Sequence, residues 1–394
     1  MSDHVVTLNA GSSSVKFALF AVEAAWPRAV ATGQIDAIDL QARLRAAIVG
    51  GARHERAIEA KSQEQAIRLI LQWIETTFPD IVVGAIGHRV VHGGLAYVAP
   101  VIIDHAILVE LNALAPLAPL HQPHNLAGIT AAQAAFPGIP QVACFDTAFH
   151  RGHAFVNDAY ALPRDYYARG LRRFGFHGLS YEYVARRMRE VDPVHACGRV
   201  IVAHLGAGAS ACAMLDGRSV ASTMGFSALD GLPMGTRCGQ IDPGLLLYLL
   251  DHDKMSASDL ARLLYERSGL KGLSGLSHDM RDLEASTAPE AREAIDYFVH
   301  RIRMEIGALV AALSGLDALV FTAGVGEHSA RVRAGVVEAM EWLGLKLDVE
   351  ANLRNDLRVS DASSRAPIYV LQTDEEAMIA RHTIKTAGLA RGPA

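Results

Sequence analysis

From Val5 to Phe20 the chain reads VVTLNAGSSSVKFALF: two apolar runs, each strand-like, joined by a turn of one Gly and three consecutive Ser, with Asn9 before it and Lys16 after it. Gly and Ser are ordinary turn residues, so one reading is a solvated hairpin. The other is an anion cradle, in which backbone N–H groups and hydroxyls converge on phosphate oxygens. The pattern returns half a chain later in RVIVAHLGAGASACAMLDG, Arg199 to Gly217. Aligning Gly11 with Gly206 sets His204 where Asn9 stands and Ser210 near the serine cluster. Two such turns predict duplicated domains that each offer a turn to a shared cleft, and the phosphate reading gains on the hairpin.

Between the turns, helix and strand signals alternate. SQEQAIRLILQWIETTF puts Ile67, Ile70, Leu71 and Ile74 on one helical stripe. IVVGAIGHRVVHGG reads as a buried strand running into a glycine-rich loop, and IPQVACFDTAFH as a strand entering an acidic loop. From Leu309 onward the pattern predicts helix, strand, glycine loop and helix. The expected architecture is α/β, with domains over 1–149 and 150–379. The expected junction lies near Thr147 to His153, and the C-terminal helix, 380–394, is able to pack back onto the first half.

Composition bounds the function. At 394 residues, 51% hydrophobic and 20% charged, the chain describes a globular protein with room for two cores. A net charge of −5 and a pI near 6.4 argue against a nucleic-acid or anionic-membrane surface, so a bound anion needs a local pocket. Cys144, Cys197, Cys212 and Cys238 show no metal or disulfide spacing. The first strand begins too early to leave room for a signal peptide, and the most apolar late stretch is broken by Asp317 and glycines. The expected location is cytoplasmic.

Several side chains suit phosphoryl transfer. Arg89, in GHRVVHGG, and Arg237, in GLPMGTRCGQIDPG, are guanidinium groups in glycine-rich loops. Either can snorkel at a strand end or grip a carboxylate or phosphate. Asp146 leaves an apolar strand, where a carboxylate must be paired, metal-bound or a helix N-cap. Glu375 opens the last helix, a position the helix dipole also favours. His177 and His204 lie beside glycines, within reach of phosphoryl oxygens or as satisfied structural imidazoles. The pairs His121/His124 and His150/His153 lack a third ligand at fixed spacing, which argues against zinc. Phosphoryl transfer needs oxygen donors for Mg²⁺, and Asn9, Asp146 and Glu375 can supply them.

NAGSSSVKF, GHRVVHGG, APLHQPHN, FDTAFH, FGFHG, MGTRCGQIDPG, GLSHDMRD, GVGEHS and TDEEAMIARHT occur in the order found in acetate kinases, and the chain resembles that family from Asn9 to Glu375. The resemblance implies a duplicated actin-like ATPase fold, ATP/ADP as co-substrate, Mg²⁺ with Mn²⁺ as a substitute, and a homodimer. It implies Asn9 and Glu375 as magnesium-associated residues. Arg89 would be the carboxylate grip, Asp146 the acid/base or orienting carboxylate, and His177 and Arg237 the transition-state stabilisers. Ser12, Ser14 and Lys16 would face ATP. So would His204, Leu205, Gly206, Ala207 and Gly208, then Asp279, Met280 and Arg281, and Gly324, Val325, Gly326, Glu327 and His328. Val91, Leu120, Phe176 and Ala228 would surround the acyl methyl group.

The chain departs from the family pattern at Ala207, where Asn is usual, and at Leu179 and Tyr181, where Thr and His are usual. Cys238 and Gln240 replace Ser and Asp, and Ala228 replaces a Pro of the acyl pocket. The expected activity is reversible transfer of the ATP γ-phosphoryl group to acetate. The alternatives are a propionate or other short-chain acyl kinase, and a nucleotide-dependent clamp or filament protein of the actin type. A carboxylate-gripping Arg89 has no purpose in the last.

Overall fold

A computed structural model describes residues 4–11, 14–23 and 26–390. The chain divides into two compact units, Met1–Ala148 with Asp374–Ala394, and Phe149–Thr373.

The first unit is built on strands β1 (His4–Ala10), β2 (Val15–Ala21), β3 (Arg28–Asp36), β4 (Arg43–Ile48), β5 (Arg53–Ala57), β6 (Val83–Val90), β7 (Val101–Ile102) and β8 (Gln141–Phe145). They form one sheet in the order β5-β4-β3-β2-β1-β6-β8-β7. The helix Gln63–Thr77 starts on Ser62, whose hydroxyl accepts from the Gln65 N–H. Its predicted stripe is buried: Ile67, Ile70, Leu71 and Ile74 pack against Phe17, Leu19 and Ile86, with Trp73 edge-on to Phe17 at 5.6 Å. Each such aliphatic side chain contributes about 1.5–3 kcal/mol on leaving water. The final helix, Glu375–Thr386, lies against β6 at Gly87. A Cβ there would sit 2.1 Å from Thr383 Oγ1, so glycine is what lets the helix approach.

The second unit holds β9 (Arg199–Leu205), β10 (Ala209–Leu215), β11 (Arg218–Ser222), β12 (Ala318–Thr322) and β13 (Ile368–Val370), ordered β11-β10-β9-β12-β13. β9 pairs antiparallel with β10 and parallel with β12, as β1 does with β2 and β6. The two sheets therefore share one five-strand plan, the structural counterpart of the repeated turn. Where a glycine loop is predicted after β12, the chain instead coils at once into a short helix, Ala323–His328. Ala323 makes this possible by taking a left-handed backbone, φ 64°, a conformation that costs an L-residue roughly 1–2 kcal/mol.

Two buried histidines make the fold acid-sensitive. His88 Nε2 lies 2.6 Å from Gln141 Oε1, and burial pushes its pKa down to about 4. Burial, and next His153 beside it, bring His150 down to about 3. Both stay neutral when folded but protonate near pH 6.5 when unfolded, so the unfolded chain binds more protons below that pH. Stability is full above about pH 6.5 and falls as pH drops toward 4, by about 1.4 kcal/mol per pH unit for each histidine. Urea midpoints should fall accordingly between pH 7.5 and 5; constant midpoints would mean neither imidazole is held neutral.

Candidate functional site

In the first unit the parallel strands β1, β6 and β8 end side by side, with Leu8 opposite His88 and Arg89 opposite Cys144. That register brings Asn9, Arg89 and Asp146 to the carboxyl edge of the sheet, where α/β folds bind ligands. Asp146 is 1% exposed. Its carboxylate accepts from Arg89 Nη2 at 2.6 Å and from Nε at 3.0 and 3.2 Å. Glu375 Oε2 lies 3.7 Å from the same Nε. Burial by itself would lower the Arg89 pKa, but the charges of Asp146 and then Glu375 hold it above its ordinary value. Lys16 lines a cavity of about 580 Å³ together with Asp374 and Glu376. Burial, and next Glu375, raise the Glu376 carboxyl.

The first turn closes through Gly11 N–H donating to Ser14 O at 2.9 Å; Ser12 lies outside the described residues. Two buried amides from the helix Gln122–Ala135 lock the surrounding main chain. Asn125 donates to Ala10 O at 2.8 Å and accepts from Val91 N–H at 3.0 Å. Gln122 accepts from His92 N–H and donates to His92 O. Val91 is buried and Leu120 exposed. Sequence reasoning gave neither amide a role. The available signal was two polar residues, Gln122 and Asn125, in register with the buried Ile129 and Ala132 on one helical face.

In the second unit β9, β12 and β13 end together, with His204 opposite Thr322. The turn after β9 closes through Gly206 N–H donating to Gly208 O at 3.0 Å. His177 precedes the helix Gly178–Val191 in a left-handed backbone, φ 57°, and stacks on His204 with ring centroids 4.2 Å apart. Such strain in a non-glycine residue is characteristic of functional positions. A Cβ on Gly208 would lie 3.3 Å from His177 Nε2 and 3.8 Å from Arg237 Nη1. The bare glycine thus has an imidazole and a guanidinium converging on it. Arg237 Nη1 donates to Ala228 O at 3.0 Å, which places two predicted residues in contact. Phe176 is buried and accepts at its carbonyl from His150 Nε2.

A cavity of about 360 Å³ collects Gly206, Ala207, Asp279, Met280, Arg281, Gly324, Val325 and His328, from three separate motifs, with Glu284 and Ser329 added. Asp279 accepts from the Arg281 main chain and guanidinium, hydrogen bonds that bring its carboxyl down to about 2. Glu327 turns away from this lining: its Oε1 accepts from Ala323 N–H and Thr373 N–H, tying the ends of β12 and β13. His150 and His153 both bond Ser219 Oγ, and among the described residues no three His, Cys, Asp or Glu form a metal cluster.

Two α/β units on one strand plan, with their motif residues at the carboxyl ends of parallel strands, form the duplicated actin-like fold of an ATP-dependent phosphotransferase class. The chain belongs to the acetokinase family, whose model matches residues 4–381. It is 55% identical to an acetate kinase of Methylocella silvestris, with 98% of each chain covered. It is 52% identical to one of Nitrobacter hamburgensis, covering 97% of this chain and 96% of that one. Among solved structures, Porphyromonas gingivalis acetate kinase superposes with a TM-score of 0.87 at 34% identity, and a Francisella tularensis propionate kinase with 0.91 at 35%. Each alignment covers 98% of this chain and 100% of the other. Among the described residues no helix is long and apolar enough to cross a membrane.

Arg89→Met removes the guanidinium that pairs with the buried Asp146 carboxylate and should cost roughly 3–5 kcal/mol of stability. Replacing both partners, Arg89→Met with Asp146→Leu, should recover much of that loss in urea unfolding. Additive losses would show that the two side chains are not coupled.

Proposed function

We propose that this chain is an acetate kinase, transferring the γ-phosphoryl group of ATP reversibly to acetate by direct in-line displacement. The observation that carries the reading is the guanidinium of Arg89, held at a strand end by a buried carboxylate and suited to a second, exchangeable one. Nε and Nη2 are committed to Asp146, so a substrate carboxylate takes the Nη1 edge.

Acetate is ionised at neutral pH, like any simple carboxylate. One of its oxygens attacks the γ-phosphorus directly, and no base is needed. The bond from phosphorus to the β,γ-bridging oxygen breaks, and ADP leaves with that electron pair. Asp146 then serves as the orienting carboxylate, fixing the Arg89 fork. His177 and Arg237 donate to the equatorial oxygens of the transferring group, where charge spreads in the transition state. The lining of Asp279, Met280, Arg281, Gly324, Val325 and His328 takes the nucleoside end. Lys16, Ser12, Ser14 and the turn at Gly206 serve the phosphates.

The donor set fits Mg²⁺. Asn9 and Glu375 offer oxygen, and Mg²⁺ is held in nucleotide sites by one or two protein groups plus phosphate and water. It would neutralise phosphate charge. Mn²⁺ can replace it. The setting is cytoplasmic.

A second reading, a propionate kinase, is favoured by Ala228, which removes ring bulk beside Arg237, and by the Francisella neighbour. One methylene in an apolar pocket is worth about 1–3 kcal/mol. A hydroxylamine trap with MgATP and a panel of carboxylates should show acyl phosphate from acetate and, less efficiently, propionate. EDTA should abolish it, and Arg237→Ala should cut kcat by about 10³-fold or more. Ala228→Pro should sharpen the preference for acetate. ATP turnover indifferent to every carboxylate would leave the actin-type clamp instead.

The protein is also proposed to be a homodimer. The helix Pro243–Asp251 buries none of its residues, although it carries Leu245, Leu247, Tyr248 and Leu250, each 38–66% exposed. An apolar helix so exposed marks an interaction face. Leu247→Asp should convert dimer to monomer in sedimentation; a wild-type monomer at micromolar concentration would refute this.

A further inference from the structure

Behind His177 lies a line of hydroxyls that the reaction scheme does not use. His177 Nδ1 is 2.8 Å from Ser210 Oγ, and Ser210 Oγ is 2.5 Å from the Tyr181 hydroxyl. Ser210 and Tyr181 are both fully buried. Among the described residues the Tyr181 hydroxyl has Ser210 as its hydrogen-bond partner and no other.

Proton counting then gives the line a direction. A phenol carries one proton, and burial pushes Tyr181 well above its ordinary pKa, so the proton stays on. If Ser210 donated to the phenol oxygen, the phenol proton would be buried without an acceptor, an arrangement that proteins avoid. Tyr181 therefore donates to Ser210. The single Ser210 proton is left for His177, and Nδ1 accepts it. A neutral imidazole whose Nδ1 accepts carries its proton on Nε2. Nε2 is the atom that stands against Gly208, beside Arg237 Nη1.

We infer that Tyr181 is a positioning residue: through Ser210 its phenol holds His177 as the Nε2–H tautomer, so that the imidazole presents a hydrogen-bond donor at the glycine turn. This rests on the proposed phosphoryl transfer, in which Nε2–H donates to an equatorial oxygen. The opposite tautomer would present a lone pair to phosphate and repel it. The second imidazole of the stack is held similarly, with His204 Nδ1 2.8 Å from Ser180 Oγ and Ser180 Oγ 2.8 Å from Thr373 Oγ1. Tyr181 stands where the family usually has His, so the relay is built from this chain's own residue.

The test reads the ring directly. Full-length protein labelled with ¹⁵N-histidine is examined by long-range ¹H–¹⁵N correlation, with His177 assigned from His177→Gln. The wild-type ring should show protonated Nε2 and bare Nδ1. Tyr181→Phe, which keeps the ring packing, should admit the Nδ1–H form and lower kcat on the order of 10-fold, with the KM values for acetate and MgATP unmoved. Ser210→Ala should do the same, and Ser210→Thr should restore both readouts. A wild-type Nδ1–H signal, or an unaltered tautomer in Tyr181→Phe, would overturn the inference. A protein that makes no acyl phosphate would instead defeat the kinase reading, and the ring signals would still decide the tautomer.

Discussion

A buried carboxylate cannot stand alone, and Asp146 makes that constraint the hinge of the first unit. In a low-dielectric interior an unpaired charge costs several kcal/mol, so Asp146 requires Arg89, and Arg89 requires strands β6 and β8 to end at the same level. Glu375 adds a second negative charge to the same guanidinium, which ties the final helix to that edge. The helix reaches it because Gly87 leaves no Cβ in its path. A pair of this kind is weak evidence for stability as such. Its value lies in fixing a fork of N–H donors at the end of a sheet.

The second unit presents a different set of groups at its turn. Its site is assembled from strain and hydroxyls. His177 and Ala323 both accept left-handed backbones, and stacked imidazoles are aimed through Ser180 and Ser210. Small residues in the Gly206–Gly208 turn let these groups crowd the backbone. The same five-strand plan thus carries an acid–base pair in one copy and a donor cluster in the other.

Most departures from the family pattern are absorbed by packing. Leu179 is buried, and Gln240 Oε1 accepts from Arg301 Nη2 at 2.5 Å. Cys238 is pushed up to about 11 by burial and bonds its neighbouring carbonyl at Gly239 O. Ala228 and Tyr181 differ, because they touch Arg237 and the His177 relay. Ala207 lines the cavity of about 360 Å³, and its carbonyl accepts from Gly235 N–H at 3.3 Å.

The duplicated turns, the alternating strand and helix signals, and the helical stripe at Ile67, Ile70, Leu71 and Ile74 were legible along the chain. Each is a local pattern, set by side-chain periodicity and by the backbone freedom of glycine. The ordered motifs carried the family likewise, since they are local strings. The short helix in place of the loop after Thr322 was not legible, because it depends on Ala323 taking a left-handed backbone that Glu327 caps from within the fold. Asn125, Gln122, Tyr181 and Ser210 escaped for the same reason. A polar side chain in a helix or strand reads as a solvent-facing residue until the fold shows what it faces. Sequence determined which groups could do chemistry; only tertiary contact decided which proton each one carries and which atom it presents.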